Sequence, residues 1–264
     1  MRGCIRHIGC AILIVMVAVA AVAAYAIVVP QRGLWADAFK SFFRTLSDQA
    51  HLVQSLREPL EPRFNENAAE QTSVTVTAYK EGWLGLWCSE VAKGSGFFLG
   101  DRASIVTAWH VAEEAGNTCQ MSVTLVNGET ISARKWQRSR YADVALIRLL
   151  PSGGDERQLR LITPLEVGKS TTLRIGQPVF VLALNQRAIL AGRFMGSGPC
   201  GEITDGLFFT CPVKPGDSGS PVLNRDGQVV GIVTKSAKVS AALLFGFFQY
   251  DGDGGCAVPV EYVR

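Results

Sequence analysis

A chain of 264 residues can hold one large or two small domains, and all-β barrels of about 200 residues fold as one unit. Its 26 basic and 23 acidic residues leave a net charge of +3, with no dense Lys/Arg run or interleaved aromatics to suggest a nucleic-acid partner. The 48% hydrophobic content is high for a soluble protein, and one segment inflates it.

That segment is Ile8–Val29, 22 residues without a charge and long enough to cross a bilayer core. Ahead of it, residues 1–7 carry Arg2 and Arg6 and read as a short cytoplasmic tail. Ala24-Tyr25-Ala26 has the small-x-small form of a signal-peptide cleavage site. The apolar run exceeds the usual signal-peptide core, however, and a stalk-like stretch follows it. A retained single-pass anchor is therefore the favoured reading, with the rest of the chain on the extracytoplasmic side, periplasmic or extracellular. Charge sets the orientation only weakly, because Arg32, Lys40 and Arg44 flank the other end.

Residues 30–62 read as a helical stalk and linker. Trp35, Phe39, Phe42, Leu46, Val53 and Leu56 recur with a period near 3.5, which fits a short coiled coil or a helix lying on the membrane or on the domain. A coiled coil would offer a route to self-association. Pro59 and Pro62 end the helix, and "EPLEPRFNENAAEQ" then reads as a polar linker. From Thr72 onward, short runs rich in Val, Ile, Thr, Phe and Leu alternate with Gly, Asn and Asp turns, the texture of a β-sandwich or barrel. "VNGE" at 126–129 predicts a hairpin, since Asn-Gly favours the primed turns that match strand twist.

Five cysteines fall in this part: Cys88, Cys119, Cys200, Cys211 and Cys256. Two bridges and one spare thiol fit an oxidising compartment, and a reduced chain with small buried cysteines is the alternative. Cys200 and Cys211 are the favoured pair, because two strand-like runs joined by the turn-rich "GEITDG" carry them. Such a bridge would contribute about 3 kcal/mol on the chain-entropy model. Cys88 with Cys119 is a further pairing.

Three positions could carry chemistry. Of three histidines, only His110 lies in the β-rich part, where the apolar strand "SIVTAWHV" meets a helical turn starting near "AEEAG". Asp143 heads the buried-looking strand "DVALIRLL", and a carboxylate there needs a partner such as a histidine ring N–H. Ser218 sits in "KPGDSGSPV", where its hydroxyl needs a neighbouring base to attack anything. The amides of Gly216 and Ser218 can converge on one point and so form an oxyanion hole.

In the order His, Asp, Ser, the motifs "TAWHV", "DVALIRL" and "GDSGSPV" resemble those of the chymotrypsin/trypsin-like serine proteases, with spacings like the compact HtrA-type members. "GSGFFLG", "GQVVGIVT" and "GGCAVPVEYV" extend the resemblance over roughly Thr72 to Val263. It implies two packed six-stranded antiparallel β-barrels within a protease domain at 63–264. It also implies a His110–Asp143–Ser218 triad in the cleft between the barrels, an acyl-enzyme on Ser218, protein or peptide substrates, and no metal or organic cofactor. By the same resemblance Pro212 marks the floor of the specificity pocket, so an acidic floor for Arg or Lys is absent. Thr234, Lys235 and Ser236 would form one wall, and Cys256 with its neighbours the other, which implies small or medium apolar P1 residues.

The chain departs from the family in three places. Ser220 replaces the second glycine of "GDSGG", Trp109 is larger than the usual alanine, and no basic-residue-then-IVGG activation site precedes the domain. Asp217, which pairs with a freed amino terminus in trypsin-like zymogens, therefore needs another partner, for which Lys214 is the candidate. No room for a PDZ domain is expected after "VPVEYVR". The alternative to an endopeptidase is a catalytically silent protease-like module that binds peptides or a partner at the same cleft.

Overall fold

A computed structural model describes residues 51–82, 87–115, 119, 121–243 and 248–263. From Leu52 onward these form one compact unit. The apolar segment at 8–29 and the stalk up to residue 50 lie outside the described residues. Among the described residues no helix is long and apolar enough to cross a membrane.

The first barrel contains β1 (Ser73–Glu81), β2 (Cys88–Phe98), β3 (Ser104–Thr107), β4 (Met121–Leu125), β5 (Thr130–Arg138) and β6 (Ala145–Leu149). These pair antiparallel in the closed order β1-β2-β3-β6-β5-β4. The second set contains β7 (Pro178–Ala183), β8 (Ala188–Cys200), β9 (Ile203–Phe209), β10 (Pro221–Leu223), β11 (Val229–Leu243) and β12 (Phe248–Pro259). It repeats the first set's order, and its β10–β7 seam rests on Val222↔Val181 and Leu223↔Phe180. Short α-helices lie before and between the strands, among them α1 (Glu66–Glu70), α2 (Trp109–Glu113) and α3 (Asp155–Leu161).

Side-chain alternation explains why the chain folds into barrels. In β4, Met121, Val123 and Leu125 are buried while Ser122 and Thr124 are only partly covered, the period-two pattern of a strand with one core face. The expected "VNGE" hairpin forms, with the Leu125 amide donating to the Glu129 carbonyl and Thr124 facing Thr130.

Other strands are apolar on both faces, and the packing shows why. Phe98 joins Val76, Ile105 and Ile147 inside the first barrel, whereas its neighbour Phe97 joins Val106, Phe180 and Leu223 in the layer between the barrels. Likewise Val179 and Val181 enter the second core while Phe180 and Leu182 face the inter-barrel layer. Burying each such side chain contributes roughly 1.5–3 kcal/mol, so the unbroken apolar runs hold the two barrels together.

The cysteine pairing corrects the expectation. Cys200 bonds to Cys256, Cys88 bonds to Cys119, and Cys211 is a free, buried thiol. The hairpin register is the reason: Cys200 lies at the β8/β9 turn opposite Ile203, while Thr210 donates to the Arg193 carbonyl at the far end of the same ladder. At about 3.3 Å per residue, Cys200 and Cys211 are separated by most of a strand length. Cys256 instead belongs to β12, on the other side of β9. Gly206 of β9 lies under the bridge, where a Cβ would come within 2.3 Å of Cys200 Cβ. Burial lifts the Cys211 thiol to a pKa of about 12, so it stays protonated and unreactive.

The end of the expected helix and the polar linker after it are docked on the second barrel. Residues 51–57 are helical, with Leu52 and Ser55 buried. Arg193 receives the helix end by donating to the carbonyls of Ser55 (2.9 Å) and Glu58 (3.0 Å), and carbonyls at a helix C-terminus favour such a cation. Phe64 then packs edge-on against Phe180 at 5.7 Å, and the Asn65 side chain caps α1.

Peptide mapping without reduction is expected to link Cys88 to Cys119 and Cys200 to Cys256, with Cys211 alkylated only in denaturant. A Cys200–Cys211 peptide would contradict the register given above.

Candidate active site

The cleft, ≈ 560 Å³, is lined by His110, Asp143, Ser218, Thr234, Lys235 and Ser236, together with Trp109, Glu113, Arg138, Gly201, Glu202, Lys214 and Pro215. His110 comes from α2, which starts at Trp109, earlier than the sequence suggested. Val111 and Ala112 are buried in the first-barrel core, and this anchorage leaves His110 and Glu113 on the cleft side. Asp143 stands between the buried Ala142 and Val144, which fix its backbone against the inter-barrel layer.

Both Asp143 oxygens are used on His110. Oδ1 accepts the His110 backbone N–H at 2.8 Å, and Oδ2 accepts from ring Nδ1 at 2.7 Å. A carboxylate can only accept, so the proton lies on Nδ1 and Nε2 keeps a lone pair in the neutral ring. The histidine pKa is raised above its ordinary 6.5, chiefly by this hydrogen bond; burial opposes the rise, and the charges of Asp143 and Glu113 add to it.

Ser218 enters from the second barrel. Its Oγ donates to the Thr234 carbonyl at 3.0 Å, so here the hydroxyl is turned to Thr234 and not to His110. Among the described residues the amides of Gly216 and Ser218 have no acceptor, while those of Asp217, Gly219 and Ser220 are all paired. Gly216 has φ 95°, the left-handed backbone that turns the loop at this point.

The first barrel holds the serine loop directly. The Ser95 amide donates to the Ser218 carbonyl and its Oγ to the Gly216 carbonyl, both at 2.8 Å, while Thr107 donates to the Ser95 carbonyl at 2.7 Å. This contact demands glycine at 219, where a Cβ would stand 2.0 Å from the Ser95 oxygen.

Asp217 is fully buried. Its Oδ2 accepts from Gln186 Nε2 at 2.6 Å and from the Lys214 backbone amide at 2.8 Å. Lys214 thus meets Asp217 through its main chain, and the residue is exposed along the cleft. Ser220 is fully buried, and its amide donates to the Asp217 carbonyl at 3.0 Å.

Of the expected pocket residues, Thr234, Lys235 and Ser236 line the cleft. Cys256 does not; it is fully buried in the Cys200 bridge, paired across the ladder with Lys235. Pro212 is exposed and also lies off the cleft lining. Sequence reasoning missed Arg138, which stacks over the Trp109 ring at 4.6 Å, and Glu202 at the β8/β9 turn. It also missed Ser95 and Gln186. A serine between glycines in "GSGFF" carries some signal, whereas Gln186 follows an apolar strand in no motif.

The NMR titration midpoint of His110 is expected above 6.5, and Asp143→Asn should lower it. The sign follows from the raised pKa: the charged pair supports the fold below the unfolded-state pKa, and that support fades as pH rises through the folded value. A midpoint unmoved by Asp143→Asn would contradict this origin of the shift.

Residues 94–232, just over half of the chain, match the model of the trypsin-like peptidase domain. Protease Do-like 1, chloroplastic, of Arabidopsis thaliana is 29% identical over 212 residues, covering 76% of this chain and 44% of that protein. A probable periplasmic serine endoprotease DegP-like of Chlamydia muridarum is 27% identical over 64% of this chain and 32% of its own length. Serine protease HTRA1A of Danio rerio is 32% identical over 66% of this chain and 34% of its own length. The chain therefore spans less than half the length of these relatives. With its six-stranded antiparallel barrel, its His110–Asp143 pair and its serine loop at one cleft, the chain belongs to the trypsin-like peptidase family, and its relatives are of the HtrA type.

Proposed function

We propose that the chain is a membrane-tethered serine endopeptidase that cuts peptide bonds with His110, Asp143 and Ser218. The observation that carries this reading is the double hydrogen bond from His110 to Asp143 on a cleft that also holds Ser218. In the proposed reaction the Ser218 hydroxyl leaves the Thr234 carbonyl and donates to His110 Nε2. His110 accepts the proton as Ser218 Oγ bonds to the substrate carbonyl carbon. The resulting oxyanion takes the two amides of Gly216 and Ser218, and Asp143 stabilises the imidazolium. His110 then protonates the departing amine, and water, activated by the same ring, releases the acyl group from Ser218.

The Ile8–Val29 segment would hold the domain at the membrane, on the extracytoplasmic face. The two disulfides support that side, since such bridges persist in oxidising compartments. For specificity we propose small or medium apolar P1 residues. Lys214 and Lys235 border the cleft beside the serine loop and the Thr234 carbonyl, and both oppose a cationic P1 side chain.

A membrane-impermeant fluorophosphonate applied to cells stripped of any outer envelope is expected to label Ser218. Ser218→Ala and His110→Ala should both abolish labelling, with turnover falling by at least about 10⁴-fold, as in comparable triads. Labelling only after lysis would reject the proposed topology, and no labelling of the folded chain would favour a peptide-binding module. In a P1-varied peptide library, Ala, Val or Leu substrates should exceed Arg and Lys by about tenfold or more; fastest cleavage after Arg would refute the pocket assignment.

A further inference from the structure

We infer that Gln186, assisted by Asn185, is the positioning residue that keeps the oxyanion amides of the serine loop aligned, acting through Asp217. The inference rests on the protease reading above. Three side-chain contacts converge on the loop from one dipeptide. Asn185 Nδ2 donates to the Pro215 carbonyl at 3.0 Å, and Gln186 Nε2 donates to Asp217 Oδ2 at 2.6 Å and more weakly to the Pro212 carbonyl at 3.4 Å. The dipeptide closes the 3₁₀ turn Leu184–Gln186, which ends on Arg187 at φ 50°. Among the described residues Arg187 is the one non-glycine residue with positive φ. A left-handed non-glycine residue persists where its surroundings over-determine it.

Asp217 lies between the two oxyanion donors, so its side-chain orientation is tied to the peptide planes on either side. It is fully buried and has only two donors, both on Oδ2, and Oδ1 has no hydrogen-bond partner among the described residues. One of those donors, the Lys214 amide, belongs to the loop itself and cannot fix the loop against the rest of the barrel. Gln186 is 31 residues away and does so. Without it, the buried carboxylate keeps a single local partner and has every reason to turn toward water. The clamp is neutral and internal to the domain, so assembling the oxyanion site requires no newly freed amino terminus.

The test compares the full 264-residue chain with Gln186→Ala and Gln186→Met, the latter keeping length and losing the donor. Each is assayed with a peptide substrate and with a peptide boronic acid, which mimics the tetrahedral anion. We expect kcat to fall at least about tenfold with KM within about twofold, approaching the roughly 10²–10³ seen when an oxyanion donor is lost outright. Boronate affinity should fall by the same factor while Tm stays within a few degrees. Wild-type kcat and boronate affinity in Gln186→Met would overturn the clamp. In the wild type, where no variant has to fold, the Gln186 side-chain amide protons should exchange slowly, and exchange at the solvent rate would also overturn it. A wild-type chain that neither cleaves nor binds boronate would sink the protease reading and this inference with it; an active wild type beside an equally active Gln186→Met removes the inference alone.

Discussion

The cleft depends on a short polar seam where one residue of the first barrel, Ser95, takes hold of the serine loop of the second. Its amide and hydroxyl donate to the carbonyls of Ser218 and Gly216, and its own carbonyl receives Thr107. His110 and Asp143 belong to one barrel and Ser218 to the other, so their alignment is only as good as this seam. The apolar layer of Phe97, Val106, Phe180 and Leu223 supplies adhesion. Hydrophobic contact is non-directional, however, and hydrogen bonds at 2.8 Å supply the register.

Two aspartates near the cleft illustrate how partners divide roles between like groups. Asp143 faces a titratable ring and spends both oxygens on it, so its charge fixes the orientation of His110 and raises its affinity for a proton. Asp217 is fully buried against neutral donors, a side-chain amide and a backbone amide. The first acts on a proton equilibrium and the second on the backbone. Their neighbours, more than their own chemistry, set that difference.

Much of the site was legible in the chain because chemistry demands particular residue types. A histidine after an apolar strand, an aspartate heading another and a serine in a Gly-Asp-Ser-Gly turn have few uses in common, and the structure brings all three to one cleft. The strands were legible for the same kind of reason, since the alternation in "MSVTL" and the Asn-Gly turn are local signals read by local physics. The doubly apolar run "PVFVLA" is buried on both faces, and which face meets which neighbour is set by the packing and not by the run itself.

What the tertiary structure decided are the pairings between residues remote in sequence. Proximity in a hairpin suggested Cys200 with Cys211, yet the ladder carries those two apart, and β12 brings Cys256 to Cys200 across Gly206. The charge of Lys214 suggested a partner for Asp217, yet the side chain of Gln186 reaches it from a separate turn. Ser95 gives its backbone to the loop as much as its hydroxyl, and a backbone donor has no sequence signature. The sequence by itself determined the strand pattern, the hairpin turn and the residues able to do chemistry, because each follows from side-chain type and spacing. Closure of the barrel, the bridges and the grip on the serine loop were decided only by the folded chain, because each depends on where strands cross.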